Sequence, residues 1–518
     1  MKRFIGIILV CIAAAVVLST CASSAQGIDG GPLRFNPSKF VRRSFYYNGM
    51  KVQYRLYEGV VYVANPVKAE IPKGGVTVLP MLSPEEAAAM GLPPLPAGAE
   101  GLPPFPGMLQ ANKVYPPEAY HTMNIYVPYS AVKSQTVPII FKNGIMAYMP
   151  NVPEEINADG ITGWALRNGY IVVCPGARGR ETKSLDGKNV GKAPAGIVDL
   201  KAAVRYLKYN DDVMPGDANK IISDGMSAGG AMSALLGASG NNPLYEPYLK
   251  ELGAAPATDD IFGVFSFCPV MDLEHSDMSY EFLLKNQNEA KKYNVAQIAV
   301  SEELAALYPA YLSSLELTFG DGSALTADNY TEYLTQLLIE SAQKALDTGF
   351  VTTADLEAKS WITLDDAKVS AIDYDAFMAS VGRMKAPPAF DTLGVLGGKA
   401  SPENNEFGNE TTDALNFTDW GLSKAKSADM LVDQSVKDRV YLLNPMNFIG
   451  AGNTKTAPYW YIRHGSLDRD TSFTVPVNLY RMLAKNKINA NFAIAWDRGH
   501  RGDYDLDEMI KWINDIMR

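Results

Sequence analysis

The sequence predicts an α/β fold, a mostly parallel central sheet with helices on both faces. Two observations carry that reading. Strand-like and helix-like stretches alternate along most of the chain, and one apolar strand runs through a glycine-flanked serine turn directly into a small-residue helix.

The elements follow in order. Phe45 to Tyr57 alternates around Asn48-Gly49, a hairpin signal, and Val60 to Val63 reads as a further short strand. Residues 73–117 contain Pro93-Pro94-Leu95-Pro96 and Pro103-Pro104-Phe105-Pro106. Proline at that density cannot sit inside a sheet, so the stretch predicts a surface insertion. Met123 to Val127 and Val137 to Phe141 are predicted strands, Ile161 to Arg167 a helix, Tyr170 to Cys174 a strand and Ile197 to Tyr209 a helix. Lys220 to Ser223 leads into the serine turn, Ala231 to Gly237 forms the helix after it, and Ile261 to Cys268 is another strand. The rhythm then breaks. Ala296 to Leu315, Tyr330 to Asp347 and Leu364 to Val381 look helical and charged, and a Gly/Pro/Asn-rich tract follows. Alternation resumes with strand Tyr459 to Arg463, helix Val475 to Asn486, strand Asn491 to Trp496 and a last helix, Asp505 to Met517. The expected division is core over 26–274, an inserted lid over 275–443 and core again over 444–518.

Composition narrows the function. The chain has 518 residues, 47% hydrophobic and 10% aromatic, enough for a large core. A net charge of −10 with no basic cluster argues against nucleic acid as a partner. Met1 to Ala25 reads as a signal peptide: Lys2 and Arg3, an apolar run from Phe4 to Leu18, then small residues. The mature protein is thus expected outside the cytoplasm, extracellular or periplasmic. Leu18-Ser19-Thr20-Cys21 resembles a bacterial lipoprotein box, so a lipid anchor at Cys21 and plain secretion are both open, and the anchor would be the only membrane contact. Of four cysteines, Cys11 leaves with the leader. Cys174 and Cys268 end strands about three places apart, roughly 14 Å at about 4.8 Å per strand, too far for a disulfide. They read as small buried hydrophobes.

The chemistry starts at Ser223-Asp224-Gly225-Met226-Ser227-Ala228-Gly229-Gly230. G-x-S-x-G alone is a weak signal in a chain with 43 glycines, but strand before and helix after make it a nucleophile elbow of the α/β-hydrolase type. A serine nucleophile needs a base and a carboxylate behind the base. Four histidines are available: His121, His275, His464 and His500. His121 suits a structural role. His500 lies in the loop after the last strand, where this fold carries its base, with His464 its competitor. Asp468 follows strand Tyr459 to Arg463 and completes the order Ser227, Asp468, His500, with Asp470 and Asp497 as alternatives. Oxyanion donors are expected from Ala228 and from Gly144 or Ile145. No His/Cys set has metal-ligand spacing, so no cofactor or metal is expected.

At this point the chain resembles the bacterial tannases (tannin acyl hydrolases), which have an α/β-hydrolase fold. The matching pieces are Tyr54–Glu58, Met123–Pro128, Gly225–Gly230, Lys385–Asp391, Glu403–Gly408 and Arg463–Asp470. The resemblance spans nearly the whole mature chain apart from the Pro-rich insertion. It implies hydrolysis of galloyl esters through a Ser-His-Asp triad and an acyl-enzyme, with Asp468 as the acid. It also implies that Asp470, Lys385 and Glu403 hold the ring hydroxyls, Glu406 being a rival for Glu403. Related enzymes that tie the serine and histidine loops with adjacent cysteines carry them where this chain has Met226 and Arg501, so it lies outside that subgroup. The expected partner is a small aromatic ester. The alternatives are a feruloyl or other aromatic carboxylesterase, more remotely a peptidase, and outside enzymes a non-catalytic surface binding protein on a hydrolase scaffold.

Overall fold

The computed structural model describes residues 31–72, 113–425 and 434–518. The expected signal peptide, Cys21 and most of the Pro-rich insertion lie outside the described residues.

Among the described residues the main sheet has nine strands in the order β1-β2-β3-β5-β4-β6-β7-β10-β11. β1 (Val41–Tyr47) and β2 (Met50–Val61) form an antiparallel hairpin. Its turn residues Asn48 and Gly49 both take positive φ, 46° and 77°, the twist a two-residue hairpin needs. β3 (Thr122–Pro128) pairs antiparallel with β2 and with β5 (Ile171–Pro175). From β5 onward the neighbours are parallel: β4 (Ile139–Lys142), β6 (Ile221–Met226), β7 (Gly263–Phe267), β10 (Tyr459–Gly465) and β11 (Asn489–Ala495). β3, β4, β5 and β7 are buried along their whole length, as strands covered on both faces must be. The covering helices include α1 (Ile161–Arg167), α2 (Ala195–Tyr209) and α3 (Ala228–Ala238). Cys174 in β5 and Cys268 directly after β7 are free and buried, their strands three places apart.

Two expectations need correction. Val60 to Val63 is not a separate strand. A bulge between Tyr57 and Val60 lets β2 continue to Val61, with the Gly59 N–H donating to Asn124 Oδ1 at 3.0 Å. Nor is Leu364 to Val381 helical throughout. Between β7 and β10 the chain forms α4 (Leu273–Leu284), α5 (Val295–Ser314) and α6 (Ala327–Asp347). It then makes a two-stranded sheet, β8 (Ile362–Asp365) with β9 (Lys368–Ile372), before the short helix α7 (Tyr374–Val381). Asp366 and Ala367 turn the hairpin at positive φ, and Asp373 accepts the Ala376 N–H at 3.1 Å to start α7. Charge density had masked the alternation of β8, in which Ile362 and Leu364 are partly buried between exposed Thr363 and Asp365; a register shift in the pairing then places Val369 and Ile372 of β9 inward.

A buried ion pair ties this inserted segment together. Arg383 Nη2 meets Glu281 Oε1 at 2.6 Å and Nη1 meets Oε2 at 2.9 Å, with both side chains fully buried. Ser301 donates to Glu281, and Arg383 also donates to Asn288, so α4, α5 and the strand of chain before Lys385 meet at one point. Arg383→Ala is expected to lower stability by about 3–5 kcal/mol, because it strands a buried carboxylate. Urea unfolding checks this, and the double variant Arg383→Met with Glu281→Met should recover most of the loss.

Candidate active site

Ser227 stands between β6 and α3 with φ 58° and ψ −126°, a conformation imposed by the tightness of the turn. There is no clearance around it. A Cβ on Gly225 would lie 2.3 Å from the Gly229 carbonyl oxygen, one on Gly229 2.6 Å from the Ile145 oxygen, and one on Gly230 2.4 Å from the Phe267 oxygen. The Ser227 N–H donates to the Phe267 carbonyl at 3.0 Å, and the Ser227 carbonyl accepts Val270 N–H at 3.2 Å. Asn143 holds the facing loop by donating to the Asp224 and Gly229 carbonyls, each at 3.1 Å, and to Ser233 Oγ at 2.8 Å.

Asp468 and His500 form a buried pair, with His500 Nδ1 2.8 Å from Asp468 Oδ2. The other Asp468 oxygen accepts the Asp470 N–H at 2.8 Å. Burial by itself raises the Asp468 pKa, but the neighbouring His500 and His464 and the hydrogen bonds outweigh it and hold the carboxyl at about 2. Burial likewise opposes charge on His500, yet the Asp468 carboxylate, with Asp470 beside it, lifts it well above the ordinary histidine value. His500 Nε2 is buried without a hydrogen-bond partner, and Asp470 Oδ2 lies 3.6 Å from it.

Ser227 opens onto a cavity of about 190 Å³. Its walls are Ala147, Tyr148, Ala228 and Val270 on the core side, and Lys385, Ala389, Ser401, Pro402, Glu403 and Asp470 opposite. Lys385 Nζ is 3.4 Å from Asp470 Oδ1 and lies over the Phe390 ring, 3.8 Å from its centroid. Tyr280 sets that pairing: its hydroxyl accepts the Lys385 N–H at 3.1 Å and donates to the Arg469 carbonyl at 2.8 Å. Glu403 is buried in α8 (Pro402–Glu406), which Ser401 caps by accepting the Asn404 N–H at 2.9 Å. Burial pushes the Glu403 carboxyl up, and the Lys385 ammonium pulls it back in part. Two larger clefts, of about 520 and 470 Å³, contain none of Ser227, Asp468 or His500.

The other candidates fall elsewhere. Glu406, on the same short helix, is absent from the cavity wall; it is buried near Lys192 and Arg180 with Oε2 unpartnered, and burial drives its pKa well up. Gly144 packs against the Glu154 carboxylate and the Ile145 carbonyl against Gly229; neither lines the cavity, which takes Ala147 and Tyr148 from the same loop. Asp497 faces Lys359 at 3.5 Å. His464 is buried 3.7 Å from Asp468 with neither ring nitrogen hydrogen-bonded. His275 stacks on Tyr311 and bonds Asp272, and His121 is buried between Asp199 and the Val67 N–H.

Sequence reasoning missed Ala147, Tyr148, Val270 and the proximity of Cys268 to His500. The first two sit at positive φ, 47° and 58°, with the Ala147 carbonyl turned to Arg180 Nε at 2.9 Å. No local pattern announces such a turn in two non-glycine residues. Among the described residues, two groups bring potential metal-ligand atoms within 4.8 Å of one another: Cys268, Asp468 and His500, and Asp272, Glu274 and His275.

Comparisons with known proteins agree with this architecture. The family model described as BD-FAE matches residues 123–310. Esterase LipC of Mycobacterium tuberculosis is 39% identical over 72 residues, a match spanning 14% of this chain and 18% of that protein. The native tannin acyl hydrolase of Lactobacillus plantarum is 34% identical, covering 94% of this chain and 100% of its own, with a TM-score of 0.78. Fusobacterium nucleatum tannase is 35% identical over 94% of this chain and 99% of its own, TM-score 0.76. A further similar structure is a tannin acyl hydrolase in complex with ethyl gallate, 34% identical over 94% of this chain and 100% of its own, TM-score 0.76.

Because the Asp468 carboxylate is the main group lifting the His500 titration, Asp468→Asn removes the charge that favours the imidazolium. The His500 titration, followed by NMR of its ring protons, is expected to fall in that variant to or below the usual histidine range near 6.5.

Proposed function

The chain belongs to the bacterial tannase family, ester hydrolases of α/β-hydrolase fold, and from that premise we propose that it is a serine esterase cleaving galloyl esters. The observation that carries the proposal is the convergence of Lys385, Glu403 and Asp470 with Ser227 on one small cavity. A trihydroxyphenyl ring presents three adjacent hydroxyls, which donate to carboxylates and accept from an ammonium. A ring without them would set the buried Glu403 carboxyl and the Lys385–Asp470 pair against a surface that neither donates nor accepts, which is how such a pocket would discriminate.

In the proposed reaction Ser227 Oγ attacks the ester carbonyl while His500 Nε2 takes its proton. Asp468 fixes the imidazole through Nδ1 and stabilises its charged form. The tetrahedral oxyanion is held by the Ala228 N–H and a second N–H from the Ala147–Tyr148 stretch, the part of that loop that reaches the cavity. His500 returns the proton to the leaving alcohol. Water activated by the same imidazole then releases the aromatic acid from the acyl-enzyme. The leader-like composition of Met1 to Ala25 supports export, with lipid attachment at Cys21 as one of two fates.

Methyl gallate should be hydrolysed much faster than methyl ferulate; comparable rates would defeat the gallate assignment in favour of a general aromatic carboxylesterase. Ser227→Ala is expected to lose at least about 10³-fold in kcat/KM. A native protein that a fluorophosphonate fails to label at Ser227 would point instead to the non-catalytic binding protein.

The pH profile tests the role of Asp470. Its carboxylate lies close to Nε2 and favours the protonated, inactive base. Asp470→Asn removes that charge, so the acid limb of kcat/KM is expected to move to lower pH while KM for methyl gallate rises.

A further inference from the structure

Cys268 reads from the sequence as an inert strand-end thiol, but the fold puts it against the base. It follows β7 directly with φ +37°, a backbone region that L side chains seldom occupy and that clusters at functional positions. Its side chain is completely buried, and its Sγ lies in one group with the Asp468 carboxylate and the His500 ring, the three contributing atoms all within 4.8 Å of one another. The thiol donates to the Arg501 carbonyl at 3.5 Å, one residue beyond the imidazole.

The surroundings give this contact a purpose. Phe267, the preceding residue, accepts the Ser227 N–H through its carbonyl, and the Cys268 N–H donates to the Arg463 carbonyl of β10 at 2.8 Å. Two consecutive residues therefore hold the serine's peptide and β10, and the thiol of the second reaches the histidine's loop. On its far side that loop is tied to the acid's turn by Leu467 N–H on the Arg498 carbonyl at 2.8 Å and by Asp497 N–H on Ser466 Oγ at 2.9 Å. On the serine side the ties are the Cys268 thiol and the packing of Gly502 on Phe267 and Met226. Burial pushes the Cys268 thiol up, so it stays protonated and acts as a donor, not as a nucleophile.

We propose that Cys268 is a positioning residue, whose thiol holds the Arg501 carbonyl and so fixes the His500 imidazole relative to the strand end that binds the Ser227 N–H. The proposal rests on the esterase reading and adds a residue to it.

The test compares Cys268→Ala, which loses the donor, with Cys268→Ser, which keeps one. Hydrolysis of methyl gallate and of p-nitrophenyl butyrate is measured alongside the ring-proton resonances of His500. The alanine variant should lose about fivefold in kcat, about 1 kcal/mol at 1.36 kcal/mol per tenfold, with KM changed less than about twofold. The serine variant should return to within about twofold of the native kcat. His500 resonances should shift in the alanine variant and stay near native in the serine variant. Cys268→Gly, which suits the positive φ and also lacks the thiol, serves in place of alanine if that variant fails to fold. An alanine kcat within about twofold of native, or equal losses in alanine and serine, would overturn the proposal. If the native protein hydrolyses neither ester, the esterase reading fails, while the His500 resonances still report whether Cys268 places the ring.

Discussion

The zero-clearance packing around Ser227 is the constraint on which the rest of the molecule depends. Three glycines, Gly225, Gly229 and Gly230, let backbone from the β4 loop and from β7 approach the turn to distances that any Cβ would forbid. Because nothing there can yield, the serine's position is set by the sheet, and so are the Phe267 carbonyl that binds its N–H and the loop that presents Ala147 and Tyr148. The Ser227 hydroxyl thus sits on rigid elements, which is what the acyl transfer proposed for it requires.

Charge is managed by burial in pairs. Below the elbow, Lys142 bonds Asp224 at 2.6 Å with Glu154 and Asp503 nearby, and burial together with like charge lifts both Asp224 and Glu154 to about 7. Above it, Asp468 is kept ionised because His500 and its hydrogen bonds overcome the same desolvation. Asp224 and Asp468, both fully buried, therefore hold opposite protonation tendencies, and the difference is made by their partners, not by their depth.

Lys385, Ala389, Ser401, Pro402 and Glu403 come to the cavity from the segment between β7 and β10, which polar groups rivet in place. Asp277 accepts the Phe390 and Asp391 N–H groups at 2.7 and 2.9 Å. Asp391 in turn takes the Asn404 and Asn416 side-chain amides at 2.6 and 2.7 Å and the Thr418 N–H at 2.9 Å. Asn404 lies beside Glu403, so this network aims Glu403 at the cavity, while Arg383 and Tyr280 fix the backbone that carries Lys385. Densely bonded buried networks of this kind favour one arrangement, which suits the role proposed for the pocket in matching a pattern of hydroxyls.

The sequence by itself determined what depends on neighbours along the chain. Strand and helix alternation, the glycine-flanked serine, the Asn48-Gly49 hairpin and the placing of Asp468 and His500 after successive strands are local patterns, legible because spacing alone encodes them. Only the tertiary structure decided matters of approach between distant segments. Glu403 and Glu406 share one helical turn, and burial against Lys192 and Arg180 takes the second out of the cavity. Ile362 to Ile372 folds as an irregular hairpin whose pattern its charges hide. Cys268 met His500 because β7 and the loop after β11 converge across β10, a contact between residues far apart in sequence that no periodicity records. Spacing fixes which residues leave the sheet at its carboxyl edge; which of them then touch is set by packing and desolvation, and these exist only once the chain has closed on itself.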